Sequence, residues 1–591
     1  MKTITDLRAV ITLFAVLIGC IAQNTPGENR IALGVNEAEK IIPQELFGVL
    51  MEQLGRQWKG QGAIFVGTNS SIENTNGMRQ DVIDGFIECG VGAIEWPGGC
   101  AANDYDWSTN RNSSTGVGVD RFVEFCRLTN AEAVICGRPT ANDAGSNEAF
   151  CRYILEDLDY PLKWFKVGNE VWGCGGNQTV NTYMPNYTAS YNRLKDLKNH
   201  KNGKNLSIVA GNDIEGEWAW LPAMLNSIGE TIDGVEYHDY IYYPNEISSA
   251  NPSTADYWKI LGDAVKNDVL SHVDKNVIPA MDSYDPEKRI PVVLDEWGDW
   301  LMDTGDNWMQ KATLMDALSA AAHLNLFIQR CDRIGVACMA QGVSVIHSLM
   351  NINTSGQMVR TPSFYVFKMF RPHHEGNAKF IPVTSMEIDD VNSIPCLTVG
   401  ASVDDSNIVN LSFSNIDLSA SQSVAVTLNG DVEEYRVKSA EIVTGDNFRS
   451  GNDFGKDEDV FIETLNESSY TVEGNLLTAK LPPKSVVMIR LISAQTSLRR
   501  KAAFRDGTAT FSVAAVRNGL LILNSTVSRP TPVNITLYSI DGKVVADKVY
   551  RKLLPGKSAE GLEFTATGSG AFIVEIDGPG ISCSQKIAVR K

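Results

Sequence analysis

The 591-residue sequence contains no Cys-x-x-Cys motif and no Cys/His cluster with the spacing of a zinc site, and beyond its N-terminus it has no apolar run of membrane-spanning length. The first absence argues against a zinc-dependent activity. The second argues against a spanning helix, which needs about 20 apolar residues. No Gly-rich phosphate loop follows the first predicted strand, which disfavours a dinucleotide-binding fold. We therefore expect no metal and no cofactor.

Positive charge is also scarce. The net charge of −19 argues against non-specific binding of nucleic acid as the function, and no nucleic-acid partner is expected. A content of 43% hydrophobic and 21% charged residues is typical of folded globular chains, and the length predicts several domains. From Thr496 onward the balance reverses, with 14 Lys and Arg against 7 Asp and Glu. This change of sign predicts a separate C-terminal module.

The N-terminus has the pattern of an export signal. Lys2 and Arg8 precede the apolar run 9–18, which predicts a signal peptide over residues 1–22. The motif Leu17–Cys20 resembles a lipobox, so cleavage after Ala22 and lipidation of Cys20 remain alternatives. Both predict an exported protein, secreted or associated with the cell surface.

Between residues 46 and 375, short apolar runs alternate with stretches of helical periodicity. Eight strands with helices between them predict an α/β class domain, a (β/α)8 TIM barrel. A doubly wound sheet is the competing architecture. The predicted strands are LFGVLMEQL, VGAIEWPGG, AEAVICGRPT, LKWFKVGNE, LSIVAGND, GVEYHDYIYY, PVVLDEWG and GVACMAQ.

The rest of the chain has the period-two alternation of β-strands. This pattern predicts a C-terminal antiparallel β-sandwich over residues 376–492. It also predicts that residues 23–45 contribute a strand to that sandwich. Residues 493–507 are interpreted as a linker. Residues 508–591 predict an additional small C-terminal β domain of basic character, with a role in sorting or surface attachment through the secretion machinery. A stabilising appendage is the alternative interpretation of this module.

Two predicted barrel strands end on a carboxylate beside an aromatic residue, in KWFKVGNEVWG and IPVVLDEWGDW. Glu170 and Glu296 should lie at the C-terminal ends of the fourth and seventh strands, where barrel enzymes carry their catalytic groups. Two carboxyl groups about 5–5.5 Å apart suit a retaining glycosidase, provided that their pKa values differ. Trp172 and Trp297 could stack on a sugar or fill the core.

Five further motifs accompany these two: LFGVLMEQLGR, EWPGGCAANDYDW, YHDYIYY, ACMAQGVSVI and TPSFYVFKMF. All of them resemble motifs of glycoside hydrolase family 51, the α-L-arabinofuranosidases. The resemblance covers about residues 29–492. It implies that Glu170 is the acid/base and Glu296 the nucleophile. The further residues it implies at the sugar are Glu52, Cys100, Asn169, His238, Tyr240 and Gln341. For His238, a buried core histidine is the alternative. Relatives often form oligomers, so a homo-oligomer is an option.

Two residues depart from the family pattern, and one of them is Ser344, which stands where relatives usually have asparagine. Glu95 stands in EWPGG where members typically have arginine, which helps to keep the nucleophile ionised. A third acid there would raise the pKa of Glu296. Three alternatives follow from this replacement. Either another cation takes the place of the arginine, or Glu95 turns away from the nucleophile, or the enzyme is slow or altered in specificity.

The resemblance implies release of terminal α-L-arabinofuranosyl residues from plant cell-wall polysaccharide, arabinoxylan or arabinan, or from its oligosaccharides, with retention of configuration. One alternative is an endo-acting β-glucanase or xylanase on the same scaffold. The other is a carbohydrate-binding protein whose catalysis Glu95 has impaired.

Overall fold

The computed structural model describes residues 28–494, apart from residues 59, 112–116, 202–204, 213–219 and 306–307, and a series of strands between residues 509 and 589. The predicted signal peptide with its lipobox residue Cys20, and nearly all of the predicted linker, lie outside the described residues. No helix in the described part of the chain has the length and apolar character of a membrane span.

Eight parallel strands close into a barrel, which confirms the predicted fold class. Each strand pairs with the next in chain order, and the eighth pairs with the first. The barrel strands, first to eighth, are Gly48–Leu50, Ala93–Trp96, Glu132–Gly137, Trp164–Val167, Ser207–Ala210, Gly234–Ser248, Val292–Met302 and Ile334–Ala340.

Helices connect the strands and cover the outside of the barrel. Their bounds are Gln80–Cys89, Val119–Thr129, Ala144–Arg152, Val180–Leu194, Trp220–Ile228, Thr254–Gly262, the π-helical segment Asp263–Val277, Ile278–Tyr284, Leu314–Ile328 and Pro362–Phe370. The helix Leu314–Ile328 is buried along its whole length, because it lies between the barrel and the sandwich. The Thr313 side chain and the Asp316 carboxylate cap its N-terminus.

Inside the barrel, one layer of small and apolar side chains fills the space beneath the active-site face, as TIM barrels require. It consists of Ala93, Val134, Trp164, Val209, Val293, Val336 and Cys338. The layer above it is charged. This change of character within one barrel positions the site.

Two sheets form the sandwich that comes after the barrel. Their inner faces share an apolar core that includes Leu33, Val426, Leu411 and Ile489. The five-stranded sheet contains, in spatial order, Val383–Glu387, Glu28–Gly34, Gln422–Asn429, Leu476–Leu481 and Tyr470–Glu473. The six-stranded sheet contains Lys379–Phe380, Leu397–Val403, Val409–Asn415, Ser485–Ser493, Tyr435–Val443 and Ile462–Thr464. The strand Glu28–Gly34 thus joins this domain, where it pairs in parallel with Gln422–Asn429.

The C-terminal unit, residues 496–591, is separately compact and built of β-strands. One sheet contains Ala509–Arg517, Leu520–Val527 and Gly556–Glu563. The other contains Val544–Leu553, Thr531–Ser539, Gly570–Gly578 and Ile581–Val589.

Candidate active site

The seventh barrel strand carries two adjacent carboxylates into the barrel. Val293 pairs with Glu236 of the sixth strand. Glu296 pairs with His238, so the seventh strand has one residue more than its neighbour between these two pairs. Such a bulge breaks the alternation of side chains between the two faces. Asp295 and Glu296 therefore both reach the interior, where both are buried.

Glu170 follows the fourth strand in a tight turn. Gly168 has a φ of +86° and Glu170 a φ of +42°, both in the left-handed region. A Cβ on Gly168 would lie 2.5 Å from the side chain of Pro139, so only glycine fits there. A left-handed conformation costs a glutamate about 1 kcal/mol or more, and it persists where surrounding contacts hold it, as at functional sites.

The two glutamates face each other across one histidine. His238 Nδ1 lies 3.3 Å from Glu170 Oε1 and 3.6 Å from Glu296 Oε2. The nearest oxygens of the two carboxylates lie within 4.8 Å of each other. Tyr240 donates a hydrogen bond of 2.8 Å to Glu296 Oε2. The structure thus brings together four of the predicted site residues.

The pKa values of the two carboxyl groups move apart. Burial raises the pKa of Glu296 to about 8, opposed by the charge of His238 and supported by the charge of Glu170. Partial burial also disfavours the Glu170 carboxylate, but the hydrogen bond and charge of His238 outweigh it and lower the pKa of Glu170. Although burial disfavours a charged imidazole, the surrounding carboxylates raise the pKa of His238 well above its usual value.

Three further predicted residues line the same pocket. Glu52 N–H donates to Gln341 Oε1 at 3.1 Å, and Gln341 Nε2 donates to Glu52 Oε2 at 3.4 Å. Burial raises the pKa of Glu52 to about 7. A Cβ on Gly99, whose φ is +52°, would overlap the Glu52 carboxylate at 2.3–2.6 Å, so glycine makes room for this acid. Asn169 is fully buried next to Glu170.

A buried lysine lies at the centre of the charged layer. Lys166 Nζ contacts Glu95 Oε1 at 2.8 Å, Glu236 Oε1 at 3.0 Å and Asp295 Oδ2. Burial and the charge of Asp295 raise the pKa of Glu95 well above the usual range. Of the three expectations for Glu95, the contact fits the first, because a cation from the fourth strand meets the acid, which does not turn away.

Of the predicted sugar-contact residues, Trp297 takes another place, whereas Cys100 lies beside Glu170. Trp297 is fully buried and packs against His323 and Phe327 of the helix Leu314–Ile328, with ring centroids 5.1 and 5.3 Å away. This corrects its prediction as a substrate residue: the bulge turns Glu296 inward and leaves Trp297 on the outer face. Cys100 forms a disulfide with Cys174, and their sulfurs lie 3.7 and 3.5 Å from Glu170 Oε2. Trp172 is half-buried two residues beyond Glu170.

Apart from Cys100, Glu170 and Cys174, of which the two cysteine sulfurs form a disulfide, two groups of described side chains in the pocket lie close enough together to hold a cation. They are Glu170, His238 and Glu296, and Glu236, His238 and Asp295. The Lys166 ammonium already contacts two carboxylates of the second group. Paired carboxyl groups perform retaining hydrolysis without a metal, so this donor set gives no reason to invoke one.

Sequence reasoning missed Lys166, Glu236 and Asp295. A signal was present for each of them. Lys166 follows the buried Trp164 by two residues, and Glu236 precedes His238 by two, so alternation places each pair on one face of its strand. Asp295 follows the interior residue Val293 by two, so alternation places it inside the barrel as well.

Residues 295–485 match the family described as "Alpha-L-arabinofuranosidase C-terminal domain". A curated relative from Bacteroides ovatus, named intracellular exo-alpha-L-arabinofuranosidase, is 28% identical over 81% of this chain and 98% of its own length. A crystal structure of the family 51 arabinofuranosidase from Xanthomonas axonopodis pv. citri covers 79% of this chain and 100% of its own, with a TM-score of 0.71 and 25% identity. Along most of its length the chain is similar to arabinofuranosidases of glycoside hydrolase family 51. It is therefore a glycoside hydrolase, as predicted.

The comparisons do not favour the alternative functions for this glycoside hydrolase. A bifunctional glucanase-xylanase from a metagenome library has a TM-score of 0.51 and 12% identity to it, which shows a shared fold alone.

The comparisons also correct the predicted export. The Bacteroides ovatus relative, which aligns along nearly its whole length, is named an intracellular enzyme. The prediction of a secreted or surface-attached protein is therefore wrong. Its physical weakness is that an apolar run of about ten residues is also common in buried helices. The sorting role predicted for residues 508–591 depended on export and finds no support.

Proposed function

We propose that this glycoside hydrolase releases terminal α-L-arabinofuranosyl residues with retention of configuration, and that Glu296 is its nucleophile and Glu170 its acid/base. In the first step Glu296 attacks the anomeric carbon while Glu170 protonates the leaving oxygen. In the second step Glu170 removes a proton from water, and the water oxygen attacks the anomeric carbon and displaces the Glu296 carboxylate.

The separation of the two carboxylates carries this proposal. Nearest oxygens within 4.8 Å leave no room for a water molecule between the sugar and the second carboxylate, as inversion requires. Tyr240 holds one oxygen of Glu296, so the other, Oε1, is the one available to attack.

The proton of the pair must change place before reaction. The raised pKa of Glu296 and lowered pKa of Glu170 put it on Glu296, whereas the proposed roles need it on Glu170. A sugar that covers Glu170, whose side chain is 22% exposed, excludes water from it and raises its pKa. His238 Nδ1 faces both carboxylates, so it can exchange the proton between them.

The activity should have a broad pH optimum set by this pair. We expect kcat/KM on an aryl α-L-arabinofuranoside to fall as the pH rises through about 8, because the pair then loses its one proton. The acidic limb should lie below the ordinary range of a glutamate, since the pKa of Glu170 is lowered. A profile measured from about pH 3 to about pH 10 checks both limbs. Activity that already falls between about pH 5 and about pH 6 would contradict the assignment.

An aromatic rim above the pocket supports a polysaccharide substrate. The Trp300 ring packs edge-to-face against Tyr240, which holds Glu296, at 5.3 Å. Further out, Trp300 contacts Tyr242 at 5.2 Å and Trp308 at 6.0 Å. Tyr242 is 58% and Trp308 42% exposed. Exposed aromatic faces bind the apolar faces of sugars, so the rim is suited to the chain that carries the arabinofuranosyl group.

Replacing Tyr242 with alanine is expected to raise KM for arabinoxylan or arabinan about 3- to 10-fold, the value of one aromatic contact, and to leave KM for the aryl arabinofuranoside unchanged. Phe461→Ala removes an aromatic side chain that is 41% exposed, in the sandwich, and serves as the control. If Tyr242→Ala changed KM equally for both substrates, the aromatic rim would not be a binding site for the polysaccharide chain.

The proposed function is tested by incubating the protein with the aryl α-L-arabinofuranoside, with arabinoxylan and with carboxymethyl cellulose. We expect arabinose from the first two and no products from the third. NMR of the first-formed anomer reports the stereochemistry. A first product of inverted configuration would contradict the mechanism.

A further inference from the structure

Lys166 lies in an environment that general stability does not explain. Its side chain is completely buried, and the second, sixth and seventh strands direct acids rather than apolar groups at it. Taking a charge out of water costs several kcal/mol, and buried ion pairs seldom stabilise a fold more than well-packed apolar residues do. A lysine at this depth therefore suggests a role in the chemistry above it.

Its contacts lead directly to the residues that bind and react. Lys166 Nζ donates to Asn169 Oδ1 at 2.8 Å. An ammonium only donates, so this bond fixes which end of the amide faces it and leaves the Nδ2 hydrogens directed elsewhere. Asn169 Nδ2 is buried and has no hydrogen-bond partner among the described residues. It is thus a donor available to a sugar hydroxyl beside Glu170.

A second route passes through Glu236. Its Oε1, held by Lys166 at 3.0 Å, also accepts the backbone N–H of Glu170 at 3.3 Å and faces His238 Nε2 at 3.1 Å. Asp295, the other acid that Lys166 contacts, lies 3.5 Å from the same histidine nitrogen. The opposite nitrogen of His238 is the one that faces both Glu170 and Glu296.

We propose that Lys166 is a positioning residue of this active site, which orients Asn169 directly and His238 through Glu236 and Asp295, and whose ammonium also contacts Glu95. The inference rests on the proposed function. Lys166 does not touch the substrate, and it acts through these neighbours. The titratable groups around it, from every strand that faces it, are Glu95, Cys136, Glu170, Glu236, His238, Asp295 and Glu296.

The alternative is that Lys166 only neutralises the buried acids. Two variants separate these roles. Lys166→Met leaves the acids without their cation and is expected to lose stability. In the double variant Glu95→Gln, Lys166→Met, one acid is removed as well, so folding should recover. Glu95→Gln alone is the matched control, because it keeps the other contacts of Lys166.

We expect the double variant to recover most of the melting temperature of the wild type and yet to have a kcat on the aryl arabinofuranoside about 100-fold lower, as misplaced catalytic groups typically cost. Glu95→Gln should lose less than about 5-fold. Both limbs of the pH profile should move to higher pH in the double variant, because the charge of Lys166 lowers the pKa values of Glu170 and Glu296.

Recovery of kcat and of the wild-type pH profile together with stability would overturn the inference. If the double variant does not fold, Lys166→Gln, which keeps volume and N–H donors, takes its place with the same two readouts, and wild-type values in it would have the same meaning. A wild-type protein without arabinofuranosidase activity would instead refute the proposed function.

Discussion

Replacing Glu296 with glutamine is expected to lower kcat on an aryl α-L-arabinofuranoside roughly 10⁴-fold or more, because an amide cannot attack the anomeric carbon. Glutamine keeps the volume and an oxygen that accepts the hydrogen bond from Tyr240. Burial already makes the ionised form of Glu296 unfavourable, so its neutral replacement should fold with an unchanged or higher melting temperature. Steady-state kinetics and calorimetry measure both effects.

The control for this variant is Glu287→Gln. It makes the same chemical change at a side chain that is 81% exposed and precedes the seventh strand, at the other end of the barrel. Its kcat should equal that of the wild type. If Glu296→Gln retained more than about a tenth of the wild-type kcat, the nucleophile would have to be another residue.

Replacing Glu170 with alanine should produce an effect that depends on the leaving group. The polysaccharide has a poor leaving group that needs protonation, so we expect activity on it to fall about 10²- to 10⁴-fold. An aryl arabinofuranoside with an acidic phenol needs no such help in the first step. The second step then becomes slow, because no base activates water. The glycosyl-enzyme therefore accumulates, which is observed as a burst of phenol.

Azide distinguishes this outcome from simple loss of structure. As an anion it attacks the glycosyl-enzyme without a general base, so added azide should raise turnover of the aryl substrate by Glu170→Ala but not by Glu296→Gln. The product should be a glycosyl azide with the anomeric configuration of the substrate. Failure of azide to accelerate Glu170→Ala would mean that Glu170 is not the acid/base.

The barrel could be predicted from the sequence because each of its strands is a short apolar run separated from the next by helical periodicity. The meeting of Glu170 and Glu296 followed from the same reasoning, since parallel strands end at one face. Alternation could not supply the bulge between Val293 and Glu296. A bulge inserts one residue without a marker in the sequence, and it decides that Glu296 enters the pocket while Trp297 leaves it.

The partner of Glu95 was equally beyond reach of the sequence. Periodicity shows that Lys166 faces the interior of the barrel. It does not show which residue two strands away lies at the same height along the barrel axis. That depends on the stagger of the strands in the closed barrel. The apolar N-terminal run misled for another reason, since its length fits several kinds of segment.

The position of the strand Glu28–Gly34 has a consequence for biosynthesis. It lies in the interior of its sheet, and Asn29 bonds to the backbone of Ser423, 394 residues further along the chain. A ribosome therefore releases this strand long before its neighbour exists, and its unpaired edges stay open while the barrel assembles. Separating the barrel genetically from the sandwich would leave that strand without its sheet, so a shortened catalytic fragment should be prone to aggregate.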